Sequence, residues 1–326
     1  MTMRFDLRVP PFARTTYAAQ YQTALDMVEW GEGIGVSSVV LSEHHGDAAG
    51  FMSAPLTVAA AVLARTKRVT VTISAALVSL HDPVRVAEQI ATIDCMAPGR
   101  LSVVLGAGYR KVEFEMAGID RAQRGKLVEE CYEVCRSAWK GDPFTWRGRR
   151  VLVTPTPSTP DGPHLAIGGK TEIAARRAAR LGAPFSPATA DPALAELYRS
   201  ECIRWGFDPR LEGMGKKPMT PGFVMISDDP DATWAQISEF AFYDAETYAS
   251  WQDDAARSDW VVPQLQSLDD LRNSGRYLVL TPRQCIEQVV RDQGITLHPL
   301  MGGISPQLAW ESLHLFESEV LPHVRG

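Results

Sequence analysis

Four short apolar runs recur at a constant interval along the first third of the chain. They are centred near Leu7, Val39, Val71 and Val103, so that each centre follows the previous one by 32 residues. That interval is the size of one β-strand followed by one α-helix. The runs are apolar on both faces, which is typical of strands in a parallel sheet covered by helices. The interval therefore predicts an α/β fold built from repeated β-α units.

Helical patterns fill the intervals between these runs. Apolar residues from Tyr17 to Val28 follow helical spacing, and the glycines at 31, 33 and 35 predict where that helix ends. A second helix is predicted to begin after Asp82-Pro83, which supplies an N-cap and a proline at the first helical position. Pro98-Gly99 predicts its end.

The same alternation resumes in the second half of the chain. Apolar runs precede helical patterns at HLAIGG (164–169), GFVMIS (222–227), YLVLTP (277–282) and ITLHPL (295–300). With a short strand near 184–186, the count approaches the eight strands of a (β/α)8 TIM barrel with insertions. Because such units continue beyond the proline-rich stretch 154–163, we predict one domain over residues 1–326.

Residues from about Tyr243 to Arg276 break the period. This stretch mixes aromatic and acidic side chains and is longer than ordinary connections between barrel elements. It predicts an insertion around 243–276. Two interpretations stay open: a lid over the barrel mouth, or an irregular helix packed outside the barrel.

Composition excludes several classes of protein. The net charge of −6 and the absence of a Lys/Arg block argue against nucleic-acid binding. No run approaches the roughly 18 apolar residues of a membrane span, and the first residues lack the apolar core of a signal peptide. The five cysteines contain no Cys-x-x-Cys pair, which favours reduced thiols and a cytoplasmic protein.

The second apolar run ends in Glu43-His44-His45, at the end of a predicted barrel strand. Catalytic side chains of parallel barrels lie at such carboxyl ends. Three hypotheses are open: a zinc site, a structural histidine, or a histidine that transfers protons. Adjacent histidines in a strand point to opposite faces, and no His-x-His or Glu-x-x-His spacing is present, so we predict no metal site.

Small residues end three further strands, at Ser74-Ala75-Ala76, Gly106-Ala107-Gly108-Tyr109 and Gly168-Gly169. They leave room for a flat, wide ligand, although small residues also fit the taper of a barrel. Lys170-Thr171 opens a helix after the last of them, where free N–H groups and a lysine favour a phosphate. A P-loop is excluded because His164 stands where its first glycine is needed.

The ordered set of these segments resembles the bacterial luciferase-like flavin monooxygenases. The matching pieces are VVLSEHHGD, the run from Ser74 to Asp120, HLAIGGKTEIAARRAARLG, and HPLMGGISPQLAWESLHLFESEVLP. The resemblance implies a luciferase-like TIM barrel that binds a reduced flavin, FMN or the deazaflavin F420, at its mouth. It also implies a homodimer formed through helices near strands 2 and 3.

Carried over residue by residue, the resemblance makes His44 the active-site histidine beside the isoalloxazine ring. It places a bulge or non-prolyl cis peptide at Ser74-Ala75. It also assigns the phosphate-binding turn to Gly168, Gly169 and Lys170. The predicted cofactor-binding residues are completed by Glu43, Gly106 and Tyr109.

Two departures from luciferases proper affect the expected reaction. Ala107 stands where they carry an arginine for the phosphate, and Gly168-Gly169 replaces their acid-serine pair. Light emission from an aldehyde is therefore not expected. The closer likeness is to other oxidoreductases of the family.

The resulting prediction is a flavin-dependent monooxygenase that uses reduced FMN and O2 to oxidise a small organic substrate. No pyridine-dinucleotide fingerprint is present, which predicts a separate flavin reductase as partner. The alternatives are an F420-dependent hydride-transfer oxidoreductase and a flavin-binding protein without turnover. Glu-His-His and the absence of a Gly-x-Gly-Trp-Asn stretch favour FMN.

Overall fold

The computed structural model describes residues 1–212, 222–251 and 265–324. The strands are β1 (Thr2–Phe5), β2 (Ser38–Leu41), β3 (Thr70–Ala76), β4 (Leu101–Leu105), β5 (Phe144–Trp146), β6 (Arg149–Val151), β7 (His164–Gly169), β8 (Phe185–Pro187), β9 (Phe223–Ile226), β10 (Tyr277–Leu280) and β11 (Thr296–Leu297). The helices are α1 (Tyr17–Ile34), α2 (Pro55–Arg65), α3 (Pro83–Met96), α4 (Lys111–Ala117), α5 (Arg124–Ala138), α6 (Glu172–Arg180), α7 (Pro192–Trp205), α8 (Pro230–Ser250), α9 (Leu268–Asn273), α10 (Pro282–Asp292), α11 (Pro306–Leu315) and α12 (Leu321–Val324).

The described residues fall into two compact units. The first draws on residues 1–40, 47–52 and the part of the chain after 221, and the second on 41–46 and 53–212. Whether the chain is one domain over 1–326 stays a prediction. None of the described helices is both long enough and apolar enough to cross a membrane.

The second unit contains a parallel sheet in the order β3, β4, β7, β8. Ile73 lies beside Val103, Val103 beside Leu165, and Ile167 beside Phe185. All three of these strand pairings are parallel, so the carboxyl ends of the four strands lie along one edge of the sheet. The antiparallel hairpin of β5 and β6 was not predicted from the sequence.

The first unit contains two parallel strand pairs. β1 pairs with β11 through Thr2 and Thr296, and β9 pairs with β10 through Phe223 and Tyr277. The second pair packs in a core with α8, to which Trp234 contributes. Burial of such side chains stabilises each by roughly 1.5–3 kcal/mol relative to exposure.

A buried ionic group also lies in the first unit. The guanidinium of Arg8 lies 2.8 Å from Asp244 and is fully buried. The same guanidinium lies over the rings of Phe51 and Tyr248, 4.8 Å from each centroid. Tyr277 donates a hydrogen bond of 2.6 Å to the other oxygen of Asp244. The buried charge is thus paired and also in contact with aromatic faces.

Most predicted elements form, with shifts at two ends. β1 stops at Phe5, before the predicted centre, because Leu7 takes φ of 55°, which a strand cannot contain. α1 passes through two of its three glycines and ends only at Gly35, where φ is 97°. Asp82 caps α3 as predicted, accepting hydrogen bonds from the backbone N–H groups of Val84 and Arg85.

The predicted insertion at 243–276 begins inside a long helix. α8 continues through Ser250, and α9 occupies Leu268–Asn273. Residues 252–264, on which the lid interpretation chiefly depends, lie outside the described residues.

Candidate active site

The polar group that follows β2 lies in the second unit and is buried. Glu43 and His44 are only 3% and 8% exposed. The two adjacent histidines engage different partners. His44 contacts Glu113 and Tyr109, whereas His45 contacts Glu43 and His81. The alternation expected of an extended segment therefore separates the two rings.

Glu113 fixes the orientation of His44. Its Oε1 lies 3.0 Å from Nδ1 of His44 and also accepts a hydrogen bond of 3.1 Å from the backbone N–H of His45. The ring of Tyr109 meets His44 edge to face, with centroids 5.7 Å apart. An ionised Glu113 makes Nδ1 the protonated nitrogen, so the neutral ring has its lone pair on Nε2.

The first turn of α4 brings Glu113 into this position. The helix begins after Arg110, whose Nη1 donates to the carbonyl of His45 at 2.6 Å and lies 3.5 Å from Glu113. The Glu113 side chain is fully buried, and in the described part of the chain its Oε2 accepts no hydrogen bond. Oε1 of Glu113 is thus shared by the His44 ring, the His45 N–H and Arg110.

Glu43 is the acceptor of a second cluster. Its Oε1 lies 2.8 Å from Nε2 of His45 and 2.6 Å from Nε2 of His81, and its Oε2 accepts the N–H of Leu77 at 2.8 Å. Burial by itself raises the pKa of Glu43, but the hydrogen bonds from the two histidines and Leu77 outweigh it and hold that pKa at about 2. The hydrogen bond to Glu43 raises the pKa of His81, although burial opposes it.

The Ser74–Ala75 peptide is cis, and the pairing of β3 with β4 shifts between Ser74 and Ala76. Both features stand where the resemblance implied them. Gly106 allows the close approach, because a Cβ there would lie 2.8 Å from that of Ala75. Its N–H donates to the carbonyl of Ala76 at 2.7 Å.

The predicted phosphate turn connects β7 to α6. Gly168 and Gly169 are the last residues of β7, Lys170 follows, and Thr171 caps the helix by accepting the N–H of Ala174 at 3.3 Å. A Cβ at Gly169 would overlap the Cβ of Ala174. The absence of a side chain at Gly169 therefore lets the start of α6 pack closely against the end of β7.

Pairing of the strands brings most predicted site residues to one edge. Leu105 of β4 lies between Ala76 of β3 and Ile167 of β7. Gly106 and Gly168 come directly after these positions. The cis peptide of β3, Gly106 after β4 and Gly168 of β7 therefore lie at the ends of three successive strands. Tyr109, beyond β4, joins them to His44.

Three residues of the site were not predicted from the sequence: Glu113, Arg110 and His81. Glu113 is 69 positions from His44, and His81 is 38 positions from Glu43. The signal that was present is weak. An arginine and a glutamate at i and i+3 open a helix directly after a strand end, and a histidine precedes the Asp82 cap.

Part of the chain resembles a protein of known sequence from Sinorhizobium fredii. It is 25% identical over 139 residues to an uncharacterised protein of Sinorhizobium fredii, which is 43% of this chain and 40% of that one. The chain thus matches about two fifths of the length of that relative.

Three solved structures cover nearly the whole chain. Monooxygenase RslO1 from Streptomyces bottropensis is 22% identical with a TM-score of 0.75, covering 100% of both chains. The oxygenating constituent of 3,6-diketocamphane monooxygenase from Pseudomonas putida, in complex with FMN, is 20% identical with a TM-score of 0.69, covering 99% of both. An F420-dependent secondary alcohol dehydrogenase is 19% identical with a TM-score of 0.68, covering 100% of this chain and 99% of that one.

These likenesses confirm the predicted fold, a luciferase-like TIM barrel of the α/β class. The family model described as luciferase-like monooxygenase matches residues 3–297. Since that match takes in most of the sequence, the chain belongs to the luciferase-like monooxygenase family.

Proposed function

We propose that this protein is a flavin-dependent monooxygenase that uses reduced FMN and O2 to oxidise a small organic substrate. The observation that carries the proposal is His44, held by buried Glu113 at the edge where small-residue strand ends meet. Relatives in fold include monooxygenases, one of them in complex with FMN. At the coarser level, these likenesses support an oxidoreductase that works with a flavin or a deazaflavin.

His44 would be the proton-transfer group. Glu113 accepts the Nδ1 proton, so Nε2 is the nitrogen that takes up or gives a proton. Tyr109 limits rotation of the ring, and Arg110 holds the backbone carbonyl of His45. When bound, reduced FMN supplies the electrons and the reactivity toward O2, while the protein binds, orients and excludes water.

Gly168, Gly169 and Lys170 would hold the phosphate of FMN. These residues directly precede the nine-residue helix α6, whose cap is Thr171 and whose free N–H groups favour a phosphate. Ser74, Ala75 and Gly106 would face the ring with Tyr109. Glu43 would contribute indirectly, because its carboxylate oxygens hold His45, His81 and Leu77.

F420 is the second candidate cofactor, favoured by the likeness to an F420-dependent dehydrogenase. Its longer acidic tail would need a basic surface, which the arginines of α6 could supply. The structure pairs them with acids instead. Arg177 and Arg180 lie 2.9 and 2.7 Å from Glu129, and Arg176 pairs with Glu201. This pairing supports FMN over F420.

The partners and the setting belong to the same proposal. We propose a homodimer in the cytoplasm, supplied with reduced FMN by a separate flavin reductase. Sedimentation of the purified chain, and oxygen consumption with and without an added reductase, test these two points directly.

Anaerobic titration followed by tryptophan fluorescence tests the cofactor. Reduced FMN is expected to bind more tightly than reduced riboflavin, because charge-assisted hydrogen bonds to phosphate contribute about 1.5–3 kcal/mol each. It is also expected to bind more tightly than FAD or F420. Tighter binding of F420, with hydride transfer and no oxygen consumption, would assign the protein to the second class. Tight flavin binding without any turnover would leave a non-catalytic flavin-binding protein.

A further inference from the structure

Glu43, His45 and His81 form a second cluster, here called the Glu43 cluster, next to the His44–Glu113 pair. Its three donor atoms all lie within 4.8 Å of one another. The Nε2 atoms of both imidazoles converge on one oxygen, Oε1 of Glu43, at 2.8 and 2.6 Å. His81, which completes the cluster, is 38 positions from Glu43 and lies directly before Asp82, the cap of α3.

The donor set is one that divalent transition metals prefer. One carboxylate oxygen and two imidazole nitrogens are common ligands of Zn²⁺ and its neighbours. Metal–ligand distances of about 2.0–2.2 Å place adjacent donors roughly 3 Å apart. The Nε2 atoms of His45 and His81 lie at close to that distance from Oε1 of Glu43. An ion can therefore replace the two Nε2 protons after small movements of the side chains.

The surroundings pre-organise the cluster and leave it accessible. The Leu77 N–H holds the second oxygen of Glu43, and the carboxylate is only 2% exposed. Hydrogen bonds of this kind fix the direction of a ligand's donor atom. The His81 side chain is 40% exposed, which gives an ion a route from solvent and leaves coordination positions for water.

We propose that the Glu43 cluster binds one divalent transition-metal ion per chain, with Zn²⁺ as its representative. The ion is coordinated by Oε1 of Glu43 and Nε2 of His45 and His81. This site is distinct from His44, whose Nδ1 pairs with Glu113. It does not depend on the proposed flavin chemistry, because none of its three donor atoms belongs to the proposed flavin contacts.

Titration of the flavin-free, chelator-treated protein with Zn²⁺, by calorimetry, tests the proposal. One ion is expected to bind per chain, and a chelator is expected to remove it. His81→Ala and His45→Ala are each expected to weaken binding at least about tenfold, because each removes one of three protein ligands. Far-ultraviolet circular dichroism establishes that each variant is folded. Because His81 is partly exposed, its replacement leaves the core intact.

Two control variants distinguish this site from others. His164 also pairs with a carboxylate, lying 2.6 Å from Glu212, but at the opposite end of β7. Cys95 is an exposed thiol that could bind zinc. His164→Gln and Cys95→Ser are expected to retain the single site, and Co²⁺ is expected to bind without thiolate-to-metal absorption. Absence of saturable binding, or binding that survives His81→Ala and His45→Ala but is lost in Cys95→Ser, would overturn the proposal.

Discussion

His44 and Glu113 form the pair on which the proposed chemistry rests. The carboxylate is fully buried, and its Oε1 lies 3.0 Å from Nδ1 of His44. Arg110 lies 3.5 Å from Oε1 of Glu113 and donates a hydrogen bond to the His45 carbonyl. The geometry therefore holds the Nδ1 side of the His44 ring against Glu113.

Glu113→Gln is expected to slow reoxidation of bound reduced FMN at least about tenfold. The amide keeps the shape of the side chain but removes the negative charge beside Nδ1 of His44. Stopped-flow absorbance measures the rate. Glu115→Gln is the matched control, because Glu115 is on the same helix but is 60% exposed and pairs with Lys111 at the surface. An unchanged rate in Glu113→Gln would remove Glu113 from the mechanism.

At the scale of elements, the turn from β7 to α6 depends on having no side chain at Gly169. Gly169→Ala is expected to displace the first turn of α6, because the added Cβ would overlap Ala174. FMN affinity should fall about ten- to hundredfold, as expected for the loss of one charge-assisted hydrogen bond, while riboflavin affinity changes little. Fluorescence titration with both flavins checks this difference.

Gly33→Ala is the control for that substitution. Gly33 lies within α1, and among the described residues no atom beyond its own stretch of helix lies within 4 Å of the Cβ that would be added. This variant should be about 0.5–1 kcal/mol more stable and bind FMN normally. Equal losses for FMN and riboflavin in Gly169→Ala would show that the turn does not recognise phosphate.

The buried ion pair of the first unit gives an element-scale prediction about stability. Asp244→Asn is expected to lower the free energy of unfolding by about 3–5 kcal/mol, because it removes the carboxylate that pairs directly with buried Arg8. Urea denaturation measures the change. Glu287→Gln serves as control, since its partner Arg283 is 90% exposed and such pairs contribute at most about 0.5 kcal/mol. Similar small losses in both variants would contradict the account.

Much of the element order could be predicted from the sequence, because the signals are local. The Asp82-Pro83 start of α3 and the apolar run of β7 each lie within a few residues. The hairpin of β5 and β6 carries no such pattern, and the positive φ of Leu7 leaves no mark in composition. His44 could be found from its strand-end position, but Glu113 and His81 reach the site only through tertiary contacts that one sequence does not encode visibly.

At the scale of the whole molecule, buried His298 links stability to pH. Burial lowers the pKa of His298, with Asp6 opposing and Arg4 assisting, so the folded state keeps the ring neutral where an unfolded chain would protonate it. The unfolded state therefore binds more protons below about pH 6.5, and stability must fall as pH drops through that value. His298→Gln is expected to flatten this loss between pH 7 and 5. His314 is exposed, so His314→Gln should leave this loss unchanged. Equal slopes of stability against pH in the wild type and both variants would refute the assignment to His298.

The reaction of bound reduced FMN with O2 tests the central claim most directly. Stopped-flow absorbance compares the wild-type protein with His44→Ala and with His164→Gln, whose histidine lies at the opposite end of β7. We expect His44→Ala to keep most of its flavin affinity but to slow a proton-dependent phase about 10²–10⁴-fold, and His164→Gln to match the wild type. An unchanged rate in His44→Ala, with FMN demonstrably bound, would contradict the assignment of His44 as the proton-transfer group.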